Sequence, residues 1–204
     1  MKQPIPAWSV SRETEEKLRT YLALLIRWNA RINLVAKASE AVLWQRHVLD
    51  SLQLVPLLPE TQGPLVDLGS GAGFPGLVLA VACGREMHLV ESDRRKCVFL
   101  QEAARILAPT SVTIHASRIE AAILPPAIIV TARALAPLPD LLHHAHRILA
   151  TGGTALFPKG RTAEQELTVA ISSWTMRIER FQSRTDPDST ILRLSEITPV
   201  SAKA

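Results

Sequence analysis

Apolar positions recur at helical spacing near the start of the chain. Leu18, Leu22, Leu25, Ile26 and Trp28 fall along a stretch, 11–29, that opens with Ser11, Thr14, Glu15 and Glu16, which predicts an amphipathic helix. A second helical pattern covers 39–57, from Ser39 as N-cap through Val42, Leu43, Val48, Leu52 and Leu54. Pro56, Pro59, Gly63 and Pro64 then break the chain. From Leu65 the pattern changes to short apolar runs alternating with helix-length segments. Leu65–Leu68, His88–Val90, Val112–His115, Ala127–Thr131 and Thr154–Phe157 read as strands, and 75–83, 94–107, 137–149 and 163–173 as the helices between them. That alternation predicts a doubly wound α/β domain, a parallel sheet covered on both faces. Two further extended stretches, 176–182 and 190–196, flank Thr185-Asp186-Pro187-Asp188 and predict a hairpin at the sheet edge. The expected organisation is a helical extension, 1–62, packed on a domain spanning 63–204 as one structural unit.

The strongest chemical signal is Val66-Asp67-Leu68-Gly69-Ser70-Gly71-Ala72-Gly73-Phe74-Pro75-Gly76. A strand ends, glycines crowd the turn, and a helix begins. Glycine lets the backbone take positive φ and come close against a ligand, and the carboxyl end of the first strand is where open α/β sheets bind ligands. Gly71 to Gly76 spells GxGxxG, so a dinucleotide fingerprint stands as one reading. Glu91, at the end of the second strand, can accept both hydroxyls of a ribose under either reading. Two features favour S-adenosylmethionine. Asp67 precedes the first glycine, where a carboxylate suits a cationic ligand better than a pyrophosphate. Counted from Gly69, the sixth position is Phe74, not glycine.

Bulk properties exclude more than they assert. The chain has 204 residues, 47% hydrophobic and 21% charged, an ordinary globular composition. Its formal net charge of +4 tolerates a polyanionic partner without requiring one. No stretch is long and apolar enough to predict a membrane span. The opening MKQPIPAWSVSRETEEK lacks the apolar core of a secretion signal, and Cys83 and Cys97 have no metal-ligand spacing, so a cytoplasmic protein with reduced thiols is expected. His143, His144 and His146 sit one and three apart on a helix and cannot all face one ion, so no metal is expected.

The glycine turn resembles the cofactor loop of the RsmG (GidB) family, and further blocks agree in order. They are Trp28-Asn29-Ala30-Arg31-Ile32-Asn33-Leu34, Arg46-His47-Val48-Leu49-Asp50-Ser51, Ser117-Arg118-Ile119-Glu120, Thr131-Ala132-Arg133-Ala134 and Lys159-Gly160. The resemblance implies a Rossmann-like class I methyltransferase sheet. It implies transfer of a methyl group from S-adenosylmethionine, leaving S-adenosylhomocysteine, to N7 of a guanine in 16S ribosomal RNA of the small subunit, by a monomer. It also implies that Gly69 and Phe74 line the cofactor site with Gly71 and Gly73 in the same loop, that Ile119 and Glu120 flank the adenine, and that Arg133 faces the methyl-transfer site or the methionine end. N7 carries a lone pair and no proton, so no general base is expected and Arg133 reads as a positioning group. No Pro-Cys and no (Asp/Asn)-Pro-Pro-(Tyr/Phe) turn stands after the fourth strand, which argues against carbon and exocyclic-amine targets. Arg94, Arg95, Arg118 and Lys159 are the expected RNA contacts, with Lys96 completing the cluster that opens the second helix of the domain. His47 and Asp50 are expected to hydrogen-bond each other, fixing their helix to the domain, and Asn29 and Asn33 to cap the first helix. A nicotinamide-dependent oxidoreductase and a non-catalytic RNA-binding or ribosome-assembly protein remain the alternatives.

Overall fold

The computed structural model describes residues 2–107 and 111–200. Helix α1, Arg12–Asn29, begins where the Ser11 hydroxyl accepts the Thr14 amide at 3.1 Å and buries Leu18, Tyr21, Leu22 and Leu25. The second helical stretch is shorter than its pattern suggests and is not uniform. It runs as α2, Glu40–Leu43, a wide π-helical turn, Trp44–Leu49, and a last turn, α3, Asp50–Leu52. Pro56 cannot continue a helix interior, so Val55–Leu57 forms a separate 3-10 turn.

In the sheet β1, Leu65–Leu68, has β2, Met87–Glu91, and β3, Val112–Ala116, on one side. On the other side lie β4, Ala127–Ala132, and β5, Leu149–Lys159. The hairpin strands are β6, Trp174–Gln182, and β7, Thr190–Pro199. The order is β3-β2-β1-β4-β5-β7-β6, with β1 to β5 parallel and β7 antiparallel to both its neighbours. The doubly wound expectation holds, and the hairpin completes the sheet with its second strand inserted beside β5. Every residue of β1 and β2 is buried, as a sheet covered on both faces requires. The covers are α4, Gly76–Cys83, and α5, Arg94–Leu107, with α1 outside them on one face, and α6, Leu138–Ile148, and α7, Ala163–Ala170, on the other.

The N-terminal stretch shares its hydrophobic core with the sheet domain. Leu18, Tyr21, Leu22, Leu25 and Leu52 pack in one cluster with Leu77, Leu89, Phe99 and Ile129. At the outer edge Gln3 makes a parallel bridge to Phe181, receiving the Gln182 amide at 2.9 Å and donating to the Arg180 carbonyl at 2.7 Å. Strand order reverses between β1 and β4, so a crevice opens at the carboxyl ends of these strands. Among the described residues no helix is long and apolar enough to cross a membrane.

Candidate functional site

The turn after β1 is built on left-handed backbone, with φ of 63° at Gly69, 55° at Gly71 and 87° at Gly73. Two of these glycines have different duties. A Cβ at Gly71 would meet nothing nearer than a carbonyl at 3.8 Å, so that position stands open toward the crevice. A Cβ at Gly73 would strike Leu77 at 2.6 Å and the Tyr21 hydroxyl at 2.8 Å, so that position admits the packing of α1 beneath the turn. Tyr21, fully buried, donates its hydroxyl to the Ala72 carbonyl and ties the N-terminal helix to the turn from below.

Glu91 holds the turn from the β2 side. Its Oε2 accepts the Gly71 amide at 2.8 Å and its Oε1 accepts the Asp93 amide at 2.7 Å. The carboxylate is nearly buried, yet it lines a crevice of about 420 Å³ together with Ser117, Arg118, Ile119 and Glu120. Ile119–Ala121 is a 3-10 turn fixed by Arg147 of α6, which donates to the carbonyl oxygens of both Ile119 and Glu120. A second crevice, about 320 Å³, lies on the other side of the turn and is lined by Arg46, His47, Phe74, Lys96 and Arg133. The two share Gly69, Gly71, Lys96 and Ala134. Carboxylates, Glu91 and Glu120, line the first crevice alone, beside Arg118 and the shared Lys96, whereas the charged walls of the second are all cations.

Arg133 leaves β4 and is gripped from the helical extension. It donates to His47 Nδ1 at 2.9 Å, to Asp50 Oδ2 at 3.3 Å and to the Arg46 carbonyl at 3.1 Å. Its guanidinium lies 5.2 Å from the centre of the Phe74 ring, and His47 stacks on that ring at 4.9 Å. Burial pushes the His47 pKa down to about 4, and the charges of Arg133 and Arg46 push it the same way. A neutral imidazole is what the contact needs, since arginine only donates and Nδ1 must accept. The expected His47–Asp50 hydrogen bond is thus replaced by a joint grip on Arg133. Asp50 Oδ1 instead accepts from Gln53 and Thr185. The helix is still fixed to the domain, but through the arginine.

Other expected residues fall in three groups. Gly69, Gly71, Phe74, Glu91, Arg118, Ile119, Glu120 and Arg133 are brought together around the crevices. Asp67 is not among them. It is fully buried below the turn, its Oδ1 accepts the Thr131 hydroxyl at 2.7 Å, and Oδ2 has no hydrogen-bond partner among the described residues. Burial raises its pKa to about 6 against the pull of the Thr131 hydrogen bond and of the Arg133 charge. Gly73, as described, serves packing. Lys159 donates to Glu166 at 2.7 Å and to the Ala136 carbonyl at 2.8 Å, so it clamps the loop after β4 to α7. Arg94 and Arg95 stand exposed at the start of α5, outside both crevices, and Arg95 pairs with Asp93. Lys96, one residue on, is the cation of that cluster that faces the crevices. Helical periodicity separates Lys96 from its neighbours, a signal available in the sequence. Asn29 ends its helix but organises the loop beyond it instead of capping it, accepting from the Leu34 and Val35 amides through Oδ1 and donating to the Val35 carbonyl, whereas Asn33 is exposed. His144 lies near Glu120 and His146 reaches the Ile197 carbonyl, so the histidines of α6 diverge.

A third cavity of about 500 Å³ lies across the loop after β4. Asp50, Arg133, Leu135, Lys159 and Glu166 are among its walls. No sequence spacing announced it, because its walls come from four separated segments.

Comparison with known proteins gives a consistent picture. The family model described as rRNA small subunit methyltransferase G (GidB) matches residues 14–187. The ribosomal RNA small subunit methyltransferase G of Granulibacter bethesdensis is 56% identical over 197 residues, covering 96% of this chain and 92% of that protein. Its counterpart of the same name from Rhodospirillum centenum is 58% identical over 193 residues, covering 95% and 89%. Among solved structures, an O-methyltransferase from Bacillus cereus in complex with SAH superposes with a TM-score of 0.59 at 12% identity, covering 87% of this chain and 91% of that one. A ribosomal protein L11 methylase from Lactobacillus delbrueckii subsp. bulgaricus gives 0.59 at 13% identity, covering 79% and 81%. At such identities the likeness is one of fold, the Rossmann-like sheet of the class I methyltransferases.

Proposed function

The chain belongs to the rRNA small subunit methyltransferase G (GidB) family, and from that premise we propose that it methylates N7 of a guanine in the 16S RNA of the small ribosomal subunit. It is an S-adenosylmethionine-dependent enzyme of ribosomal RNA. The oxidoreductase and the non-catalytic alternatives fall with that membership.

The observation that carries the reading is that carboxylates line only one of the two crevices beside the glycine turn. The carboxylate-lined crevice offers Glu91 to ribose hydroxyls and the Ile119–Glu120 turn to an adenine. The cation-lined crevice offers Arg46, Lys96 and Arg133 to the carboxylate of an amino acid. The open face of Gly71 lets a ligand lie against the backbone between them. These residues fit S-adenosylmethionine, whose two ends differ in this way. When bound, the cofactor supplies a methyl group made electrophilic by its sulfonium. Glu91 and the turn bind and orient, Phe74 shields the floor from water, and Arg133 fixes the acceptor side. A guanine N7 presents its lone pair without losing a proton, so the neutral His47 is needed only to hold Arg133. Arg118 is assigned to RNA backbone, and Arg94 and Arg95 to the flanking phosphates their exposure allows. Lys159 acts through Glu166 and the loop, and Asp67 and Gly73 support the turn from beneath.

Residues 1–62 are assigned as an extension integral to the 63–204 domain, and the protein as a cytoplasmic, metal-free monomer. The test is transfer of labelled methyl to small-subunit particles and to protein-free 16S RNA, with the product digested to nucleosides. The expected product is 7-methylguanosine. No incorporation into either substrate, or a label on any other atom, sinks the reading. Calorimetry is expected to show S-adenosylhomocysteine binding and none for NAD.

A further inference from the structure

We propose that the cavity across the loop after β4 receives the acceptor guanine base, with Asp50 and Glu166 as the carboxylates that face its N1–H and 2-amino donors. The assignment rests on the guanine reading above. Its geometric basis is Ala134, which lines both crevices of the cofactor site and the third cavity as well. The crevices share a wall formed by Gly69, Gly71, Lys96 and Ala134, which a cofactor spanning both would have to cross. The third cavity adjoins that wall at Ala134 and is distinct from both crevices. Ala134 is exposed, with φ of 50°, and its one-carbon side chain keeps the passage low.

The polar lining matches guanine in sense. Guanine carries O6 beside N7 on the edge that must face the cofactor, and donors at N1 and the 2-amino group on the far edge. Arg133 borders both the cavity and the cation-lined crevice, so a donor to O6 stands at the entrance. The carboxylates are held by ion pairs, Asp50 to Arg133 at 3.3 Å and Glu166 to Lys159 at 2.7 Å, and their side chains keep 16% and 21% exposure. Adenine reverses the pattern, setting an amino group toward Arg133 and a lone pair toward the carboxylates. Leu135, Pro158 and Ile191 supply apolar wall for the faces of the ring. The cation-lined crevice contains no carboxylate among its walls and has no acceptor of this kind to offer.

Gly160 allows the cavity to be closed without disturbing the cofactor site. It lines the cavity, and a Cβ built there meets nothing within 4 Å. Gly160→Trp is expected to bind S-adenosylhomocysteine in calorimetry within about twofold of the unmodified protein while transfer to small-subunit RNA falls ~100-fold. Transfer within about threefold, with cofactor affinity intact, overturns the assignment. A second measurement needs no variant and decides the matter if Gly160→Trp loses cofactor binding. Small-subunit RNA containing 6-thioguanosine is irradiated with the unmodified protein and S-adenosylhomocysteine, and the adducts are mapped by mass spectrometry. Because the sulfur replaces O6 at the entrance, adducts within residues 133–136 are expected, and adducts confined to 34–47 overturn the proposal. An unmodified protein inactive on every small-subunit RNA defeats the guanine reading and the pocket with it. An active protein indifferent to Gly160→Trp defeats the pocket alone.

Discussion

Arg133 donates to Nδ1 of His47 over 2.9 Å, joining the end of β4 to the helical extension across eighty-six positions of chain. The bond specifies a neutral imidazole, and it makes an element outside the sheet responsible for aiming a side chain inside the site.

Arg133→Lys keeps the charge and loses the fork that reaches His47, Asp50 and the Arg46 carbonyl together. Methyl transfer is expected to fall ~100-fold in kcat, with S-adenosylhomocysteine affinity changed far less. Single-turnover assays beside calorimetry measure both. An unchanged kcat removes the positioning role.

Glu91→Gln keeps the shape of the side chain but cannot accept both the Gly71 and Asp93 amides as a carboxylate does. Charge-assisted hydrogen bonds contribute about 1.5–3 kcal/mol, so S-adenosylhomocysteine is expected to bind roughly 10- to 100-fold more weakly. Calorimetry at constant pH reads the change.

Tyr21→Phe leaves the buried Ala72 carbonyl without its donor. The expected cost is about 1–3 kcal/mol of stability, seen as a lower urea midpoint. A variant as stable as the parent would show that the hydroxyl contributes nothing to holding the turn.

Stability should depend on pH through two groups of opposite sign. For His47 the free value of 6.5 drops to about 4 in the fold, so the unfolded chain binds the extra proton between them. Its contribution is complete above pH 6.5 and is lost as pH falls toward about 4. For Asp67 the value rises from 3.8 to about 6, so the folded chain binds the extra proton, and its contribution is lost as pH rises through that window. The melting temperature of Asp67→Asn should therefore climb more steeply with pH between about 4 and 6 than that of the parent, and that of His47→Gln should decline. Parallel profiles for all three proteins would contradict both assignments.

What the sequence revealed follows from which forces act locally. The glycine turn, Glu91 and the alternation of strands and helices are written in short windows, where backbone freedom and burial on both faces decide the outcome. The grip on Arg133 is not local. His47 and Asp50 lie three apart and invite a bond to each other, but a π-helical turn and a residue beyond residue 130 redirect both. Asp67 was misplaced for a similar reason. Proximity to the first glycine suggests exposure to the ligand, whereas the close approach of α4, with Gly76 against Asp67 and Leu89, seals it beneath the turn. Lys159 carries a charge that reads as free until Glu166 and the Ala136 carbonyl are seen beside it.

The bridge between Gln3 and β6 gives the first few residues a task unrelated to chemistry. They occupy backbone groups on Arg180 and Gln182 that would otherwise face solvent along the outermost strand. An unguarded strand edge recruits other edges. A bulky fusion or trimming ahead of Pro4 would therefore be felt first as self-association in concentrated solution, with the pocket chemistry still intact.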